Sequence, residues 1–124
     1  NTVHQLISTI EAELQSDHTT SFVEIIKAMF PMGSMTGAPK IKAMELIEAY
    51  EQFKRGLFSG SVGYITPNND FDFNVVIRSI LYNKDKKTIS CPVGGAITIR
   101  STWEQEYEEC LLKVNAMQTL LAGN

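Results

Sequence analysis

The sequence predicts an α+β fold: an antiparallel sheet with helices packed on it. Three observations point there. Helical periodicity runs through Pro39 to Phe53 and again through Trp103 to Leu121. Between those stretches lie three β-rich runs, SVGYIT, FDFNVVIRSILY and KTISCPVGGAITIR. Short turn segments, Pro67-Asn68-Asn69-Asp70 and Asn83-Lys84-Asp85-Lys86, join the runs, so the strands are expected to form an antiparallel meander.

Taken in order, Val3 to Leu14 is ambiguous between helix and strand, and its β-branched content favours a strand. Asp17 to Thr20 is a polar connector rich in helix-capping residues, and Ser21 to Phe30 reads as a short helix that Pro31 stops. The loop PMGSMTGAPK follows, with Ser34 and Thr36 between Gly33 and Gly37. Pro39 at the first helical position then opens a helix striped by Ile41, Met44, Ile47, Tyr50 and Phe53. Lys54 to Gly60 is a charged turn. In the middle strand Phe71, Phe73, Val75 and Ile77 share one face, and Asp72, Asn74, Val76 and Arg78 the other. The last helix carries Tyr107, Leu111, Val114 and Leu121 on one stripe.

Composition narrows the function classes. The 124 residues are 44% apolar with a net charge of −3, which allows a single domain (1–124) and gives no electrostatic case for nucleic acid or an anionic membrane. The basic cluster Lys84, Lys86 and Lys87 reads as a solvated turn. Cys91 and Cys110 lack metal-ligand spacing, and a reducing, cytoplasmic setting is expected. No apolar run approaches membrane-spanning length. Because structured-looking sequence begins at Val3, the chain is expected to lie inside a larger protein.

Four features could carry chemistry. Hydroxyls and N–H groups at the start of a helix make Gly33 to Lys40 a candidate anion site. It is not a nucleotide P-loop: three residues separate its glycines where four are required, and Ala38-Pro39-Lys40 stands where Gly-Lys-Ser/Thr is needed. Arg78 is either a bidentate carboxylate binder or a surface residue paired with Asp72 or a glutamate. Gly94 and Gly95 mark a bulge or a close backbone approach to a ligand. Glu106, Glu109 and Lys113 share a helix face, where two carboxylates could hold a hard cation or Glu109 could pair with Lys113. His4, alone near the start, reads as a surface or core residue.

In order along the chain, FPMGSMTGAPKIKAMELIEAYE, RGLFSGSVGYI, VVIRS, VGGAI and EYEECLLK closely resemble the chorismate-utilising enzymes. That family includes anthranilate synthase component I, aminodeoxychorismate (para-aminobenzoate) synthase component I, isochorismate synthase and salicylate synthase. The resemblance runs from about His4 to Lys113 and corresponds to the C-terminal part of such an enzyme. It implies that His4 is the active-site histidine and that Thr36, Gly37 and Ala38 line the ring pocket. It further implies that Tyr64 and Arg78 hold the enolpyruvyl carboxylate, and that Gly94, Gly95 and Ala96 offer N–H groups to substrate carboxylates. Glu106 and Glu109 would bind Mg2+ on the ring carboxylate, which Lys113 would also reach.

Within the family, Gly-Ser-Met-Thr-Gly-Ala-Pro-Lys is most like the aminodeoxychorismate synthases, which replace the C4 hydroxyl of chorismate with ammonia from a glutamine amidotransferase partner. Anthranilate synthase component I is the alternative, and a non-catalytic module on the same scaffold is another. Ala96 stands where the family usually has glycine, and Arg100 where it has aspartate. The Pro-Ile-Lys-Gly-Thr segment that carries the nucleophilic lysine of that class is not in this sequence. The resemblance therefore implies an incomplete site and a chain that is inactive in isolation.

Overall fold

A computed structural model describes residues 6–14 and 20–123, and the predicted active-site histidine, His4, lies outside them. The fold is α+β, as expected: four helices and two small antiparallel sheets among the described residues.

Helix α1 spans Phe22–Met29 and begins with a reciprocal cap. The Glu24 N–H donates to Ser21 Oγ (3.3 Å), while the Ser21 N–H donates to the Glu24 carboxylate (2.7 Å). The Ser21 backbone and then its hydroxyl hold the Glu24 carboxyl below its ordinary value. At the other end, Lys40 Nζ donates to the carbonyls of Ala28 (3.3 Å) and Met29 (3.4 Å). A cation thus meets the carbonyls that a helix end leaves unpaired, and α1 is tied to the start of the next long helix.

The central loop contains a single helical turn, α2 (Gly33–Thr36), and α3 spans Lys40–Tyr50. Pro39 is the N-cap of α3, one residue before the position expected for it. Helix α3 ends three residues short of Phe53, and Ile41, Tyr50 and Phe53 are exposed while Ile47 is half-buried, so most of the predicted stripe faces outward.

Strands β1 (Ser61–Ile65) and β2 (Phe71–Val75) pair antiparallel with Gly63 opposite Phe73. The turn between them is built as its residues require: Asn69 adopts φ 66°, and the Thr66 N–H donates to Asp70 O at 2.8 Å. Strands β3 (Leu81–Asn83) and β4 (Thr88–Ser90) form a second hairpin, whose turn is closed by the Lys86 N–H on Asn83 Oδ1 at 2.9 Å.

The expected three-stranded meander is therefore two separate two-stranded sheets. Its predicted middle strand breaks after Val75. The Ile77 N–H turns back onto Val75 O at 3.0 Å and Arg78 takes φ 49°, a left-handed conformation that cannot continue a strand. The alternation assigned to Ile77 and Arg78 ends there. The predicted last strand stops at Ser90, just before Pro92, which has no N–H to give a ladder, and Gly94–Gly95. Residues 6–14 form no strand either; Leu6, Ile7 and Ile10 are fully exposed, with no ladder partner to hold them.

Helix α4 spans Trp103–Ala122, with Glu104 and Glu106 in its first turn and Gly123 (φ 74°) closing it in the left-handed conformation. Packing is sparse. Phe22 of α1 meets Phe71 edge-on (4.9 Å) and Phe73 (5.8 Å) of β2. Among the described residues only Met117 and Ser59 are buried. The accessible surface is 11302 Å2, against about 6,600 Å2 for a compact monomer of 13.8 kDa. The excess of about 4,700 Å2 far exceeds the roughly 800 Å2 that one partner buries in a standard interface.

Candidate active site

Two clusters of polar groups organise the described chain. The first gathers around the start of α4. Lys113 Nζ donates to Gly94 O at 2.8 Å and pairs with Glu109 one turn away at 2.5 Å. The pair is thus more than a helix-surface contact, because it anchors the glycine segment to α4. Glu106 Oε2 is buried without a hydrogen-bond partner among the described groups, and it lies where a Cβ on Gly95 would sit, 2.7 Å away. A side chain at position 95 would displace that carboxylate. The Phe58 ring lies against Gly94, and Ser101 Oγ donates to Ala96 O at 3.4 Å.

An unpartnered buried carboxylate oxygen is costly unless a cation or donor meets it. Glu106 and Glu109, three residues apart on one helix face, offer the hard oxygen ligands that Mg2+ takes while retaining waters. No group of three His, Cys, Asp or Glu able to hold a metal occurs among the described residues. The two carboxylates suit a cation whose other ligands come from water or a bound anion.

The second cluster surrounds the central loop. Thr36 Oγ1 donates to Met32 O at 3.2 Å, closing the turn on itself. Gly37 has φ 111°, and a Cβ there would meet Ala43 Cβ at 3.3 Å, so Gly37 lets the loop turn tightly onto α3. Arg55 joins this cluster from the far end of α3. Its Nε donates to Glu51 Oε2 at 2.8 Å, its Nη2 to Glu51 Oε1, and its Nη1 to Met35 O (3.0 Å) and Ser59 Oγ (3.1 Å). The spacing of Glu51 and Arg55 is a readable i,i+4 pair, but the bond to Met35, twenty residues away in sequence, has no sequence signal.

Hydrogen bonds from Arg55 hold the Glu51 carboxyl below its ordinary value against the opposing effect of burial; the Arg55 charge adds to them. The same hydrogen bonds raise Arg55. With the folded value depressed, the stabilisation is fully present above the unfolded glutamate value of about 4.3 and is lost as pH falls through the lower folded value. A carbon-detected NMR titration of the Glu51 carboxyl is expected to show a midpoint below about 4.3, returning to it in Arg55→Ala. A midpoint unmoved by that substitution contradicts the pairing.

The remaining predicted residues stand apart. Tyr64 is exposed on β1, opposite Asp72. Arg78 is exposed in the break after β2 and takes no part in the ion pairs among the described residues, which are Lys42–Glu45, Lys54–Glu48, Arg55–Glu51 and Lys113–Glu109. No Cα atom of helix α4 comes within 8 Å of a Cα atom of α2, β1 or β2. The structure brings Gly94, Gly95, Glu106, Glu109 and Lys113 together, and leaves Thr36, Gly37 and Ala38, Tyr64 and Arg78 apart from them.

Known proteins share the pattern of this chain. A family model described as chorismate binding enzyme matches residues 1–119. The chain is 45% identical over 115 residues to "Aminodeoxychorismate synthase, chloroplastic" of Arabidopsis thaliana, covering 93% of this chain and 12% of that protein. It is 42% identical over 122 residues to "Aminodeoxychorismate synthase" of Streptomyces pristinaespiralis, covering 98% and 16%. With "Aminodeoxychorismate synthase component 1" of Bacillus subtilis (strain 168) it shares 40% over 119 residues, covering 96% and 24%. The chain thus spans between about an eighth and a quarter of the length of these relatives, and a single family pattern accounts for nearly all of its own. It belongs to the chorismate-binding enzymes.

Proposed function

We propose that the chain is the C-terminal part (1–124) of the chorismate-binding domain of an aminodeoxychorismate synthase component I, which converts chorismate and ammonia to 4-amino-4-deoxychorismate and water. The observation that carries this reading is identity of 40% or more, across at least 93% of the chain, to proteins bearing that name. The excess accessible surface supports the domain assignment, since elements this open need further polypeptide against them and a single dimer contact would cover only a fraction.

Chorismate is a dianion, so its site needs cations and oriented donors at two carboxylates. Lys113, fixed by Gly94 O and Glu109, presents one ammonium beside the Gly94–Ala96 backbone. Arg78 and Tyr64 would grip the enolpyruvyl carboxylate, and Thr36, Gly37 and Ala38 would line the ring; His4 would be the active-site histidine. Glu106 and Glu109 would hold Mg2+, which when bound supplies Lewis-acid polarisation of the ring carboxylate. The chain's own groups bind and orient the ring, placing charge where the leaving hydroxyl develops it. Ammonia would come from a glutamine amidotransferase partner. The setting is a reducing compartment such as the cytoplasm, consistent with the free thiols Cys91 and Cys110. No helix among the described residues is long and apolar enough to cross a membrane.

The nucleophilic lysine segment is not in the sequence, so the purified 124-residue chain is expected to show no turnover of chorismate with ammonium and Mg2+. Activity is expected when the chain replaces the aligned segment of the Bacillus subtilis relative, of which that segment makes up 24%. Turnover by the chain alone, or a folded exchange protein without activity, contradicts the proposal.

A further inference from the structure

Arg55 occupies the junction of three segments that the chorismate site needs held together: the central loop, the end of α3 and the entry to β1. The four-residue turn α2 leaves its last carbonyls without intrahelical partners, as any helix end does. Arg55 Nη1 supplies a donor to one of them, Met35 O, at 3.0 Å, immediately before Thr36 and Gly37. The other side of the guanidinium is gripped at both nitrogens by Glu51. Ser59, buried and at φ 64°, accepts the remaining bond at 3.1 Å. Ser59 in turn donates its N–H to Val76 O at 3.0 Å, extending the β1–β2 ladder toward Arg78.

Each contact uses a different N–H direction of a planar fork, which an ammonium cannot reproduce. The Arg55 and Glu51 side chains are only 22% and 28% exposed, so the pair is shielded enough to hold its geometry. By contrast, Lys54–Glu48, one residue away, is 85% and 75% exposed and touches nothing in the loop.

We propose that Arg55 is a positioning residue of the chorismate site: its guanidinium, oriented by Glu51 and Ser59, fixes the Met35–Ala38 segment that lines the substrate ring. The inference rests on the functional reading above. It assigns Arg55 no contact with substrate; its action passes through the Met35 carbonyl.

The test has two arms. In the folded segment-exchanged enzyme, Arg55→Lys and Glu51→Gln are compared with the parent by amide hydrogen exchange. The expected result is about tenfold faster exchange at the Thr36 and Gly37 N–H groups, which bond Met32 O and Gly33 O, for the loss of one charge-assisted hydrogen bond. The amides paired between β1 and β2 stay within twofold. Unchanged Thr36 and Gly37 exchange overturns the proposal, and so does acceleration spread evenly over the sheet, which is the signature of a merely structural role.

In the segment-exchanged enzyme, Arg55→Lys is expected to raise the chorismate KM about tenfold with kcat within threefold, because the loop binds the ring in ground and transition states alike. A fall in kcat at constant KM overturns it. Lys54→Gln is the control and leaves both arms unchanged. Inactivity of the unsubstituted exchange protein strikes the chorismate reading instead, and the exchange arm then decides the role of Arg55 in the loop.

Discussion

Gly63→Ala is expected to abolish the β1–β2 hairpin. A Cβ at Gly63 would sit 2.1 Å from Asp72 O and 2.7 Å from the Phe73 ring, and the nearest obstacle is backbone, which cannot swing aside. Gly63 faces Phe73 in the middle of the pairing, so relief requires separating the strands at their centre. Overpacking usually costs about 1–3 kcal/mol, and an obstruction by backbone is expected at or above the top of that range. The consequence spreads beyond the hairpin, because Phe71 and Phe73 are the ring contacts that hold α1 through Phe22. The measurement is exchange protection of the β1 and β2 amides, expected to fall by about a hundredfold or more. Protection within threefold of the parent contradicts the geometry.

Gly95→Ala is expected to act on function while leaving stability almost untouched. The added Cβ would meet Glu106 Oε2 at 2.7 Å, and a carboxylate at the end of a side chain can rotate away. That oxygen has no hydrogen bond to lose among the described residues. Moving it does, however, displace a proposed Mg2+ ligand. In the segment-exchanged enzyme the Mg2+ concentration giving half-maximal rate is expected to rise about 10–100-fold, the range seen when metal-site geometry is disturbed. Gly94→Ala is the internal comparison: its Cβ would make an ordinary 3.6 Å contact with the Phe58 ring, and the Mg2+ requirement is expected to stay within twofold. Equal effects at the two glycines contradict a role for Glu106 in holding the cation.

The parts of this molecule that local chemistry dictates were legible in the sequence. The run Ser21 to Phe30 reads as a helix that Pro31 ends, although Ser21 proves to be its cap rather than its first residue, and the 3.6-residue periodicity announces α3 and α4. Pro67-Asn68-Asn69-Asp70 forecasts a turn that Asn69 completes with a positive φ. The sheet was less legible because its interruption runs against propensity. Val76 and Ile77 are strong strand formers, yet Ile77 bonds back to Val75 and Arg78 turns left-handed. Nothing in residue preference marks Arg78 for that conformation.

The site divides the same way. The Glu109–Lys113 and Glu51–Arg55 pairs follow from helical spacing, whereas the bonds from Lys113 to Gly94 and from Arg55 to Met35 cross nineteen and twenty positions. Such contacts depend on how loops return to helices, which no local pattern encodes. The family resemblance implied that Gly94 and Lys113 both face the substrate, but the bond between them, like that of Arg55 to Met35, came only from the structure. The open surface has a related cause. Helices and hairpins can form from local signals, but a core needs facing elements, and here Tyr64, Trp103 and Tyr107 remain exposed.

The most direct measurement is product identification from the enzyme in which this chain replaces the aligned segment of the Bacillus subtilis aminodeoxychorismate synthase component 1. Chorismate, ammonium and Mg2+ are supplied, and cooperative unfolding is verified first. The expected product is 4-amino-4-deoxychorismate, formed at a rate within about tenfold of the unexchanged enzyme, a difference of about 1.4 kcal/mol in barrier. A folded exchange protein that forms no 4-amino-4-deoxychorismate would contradict it.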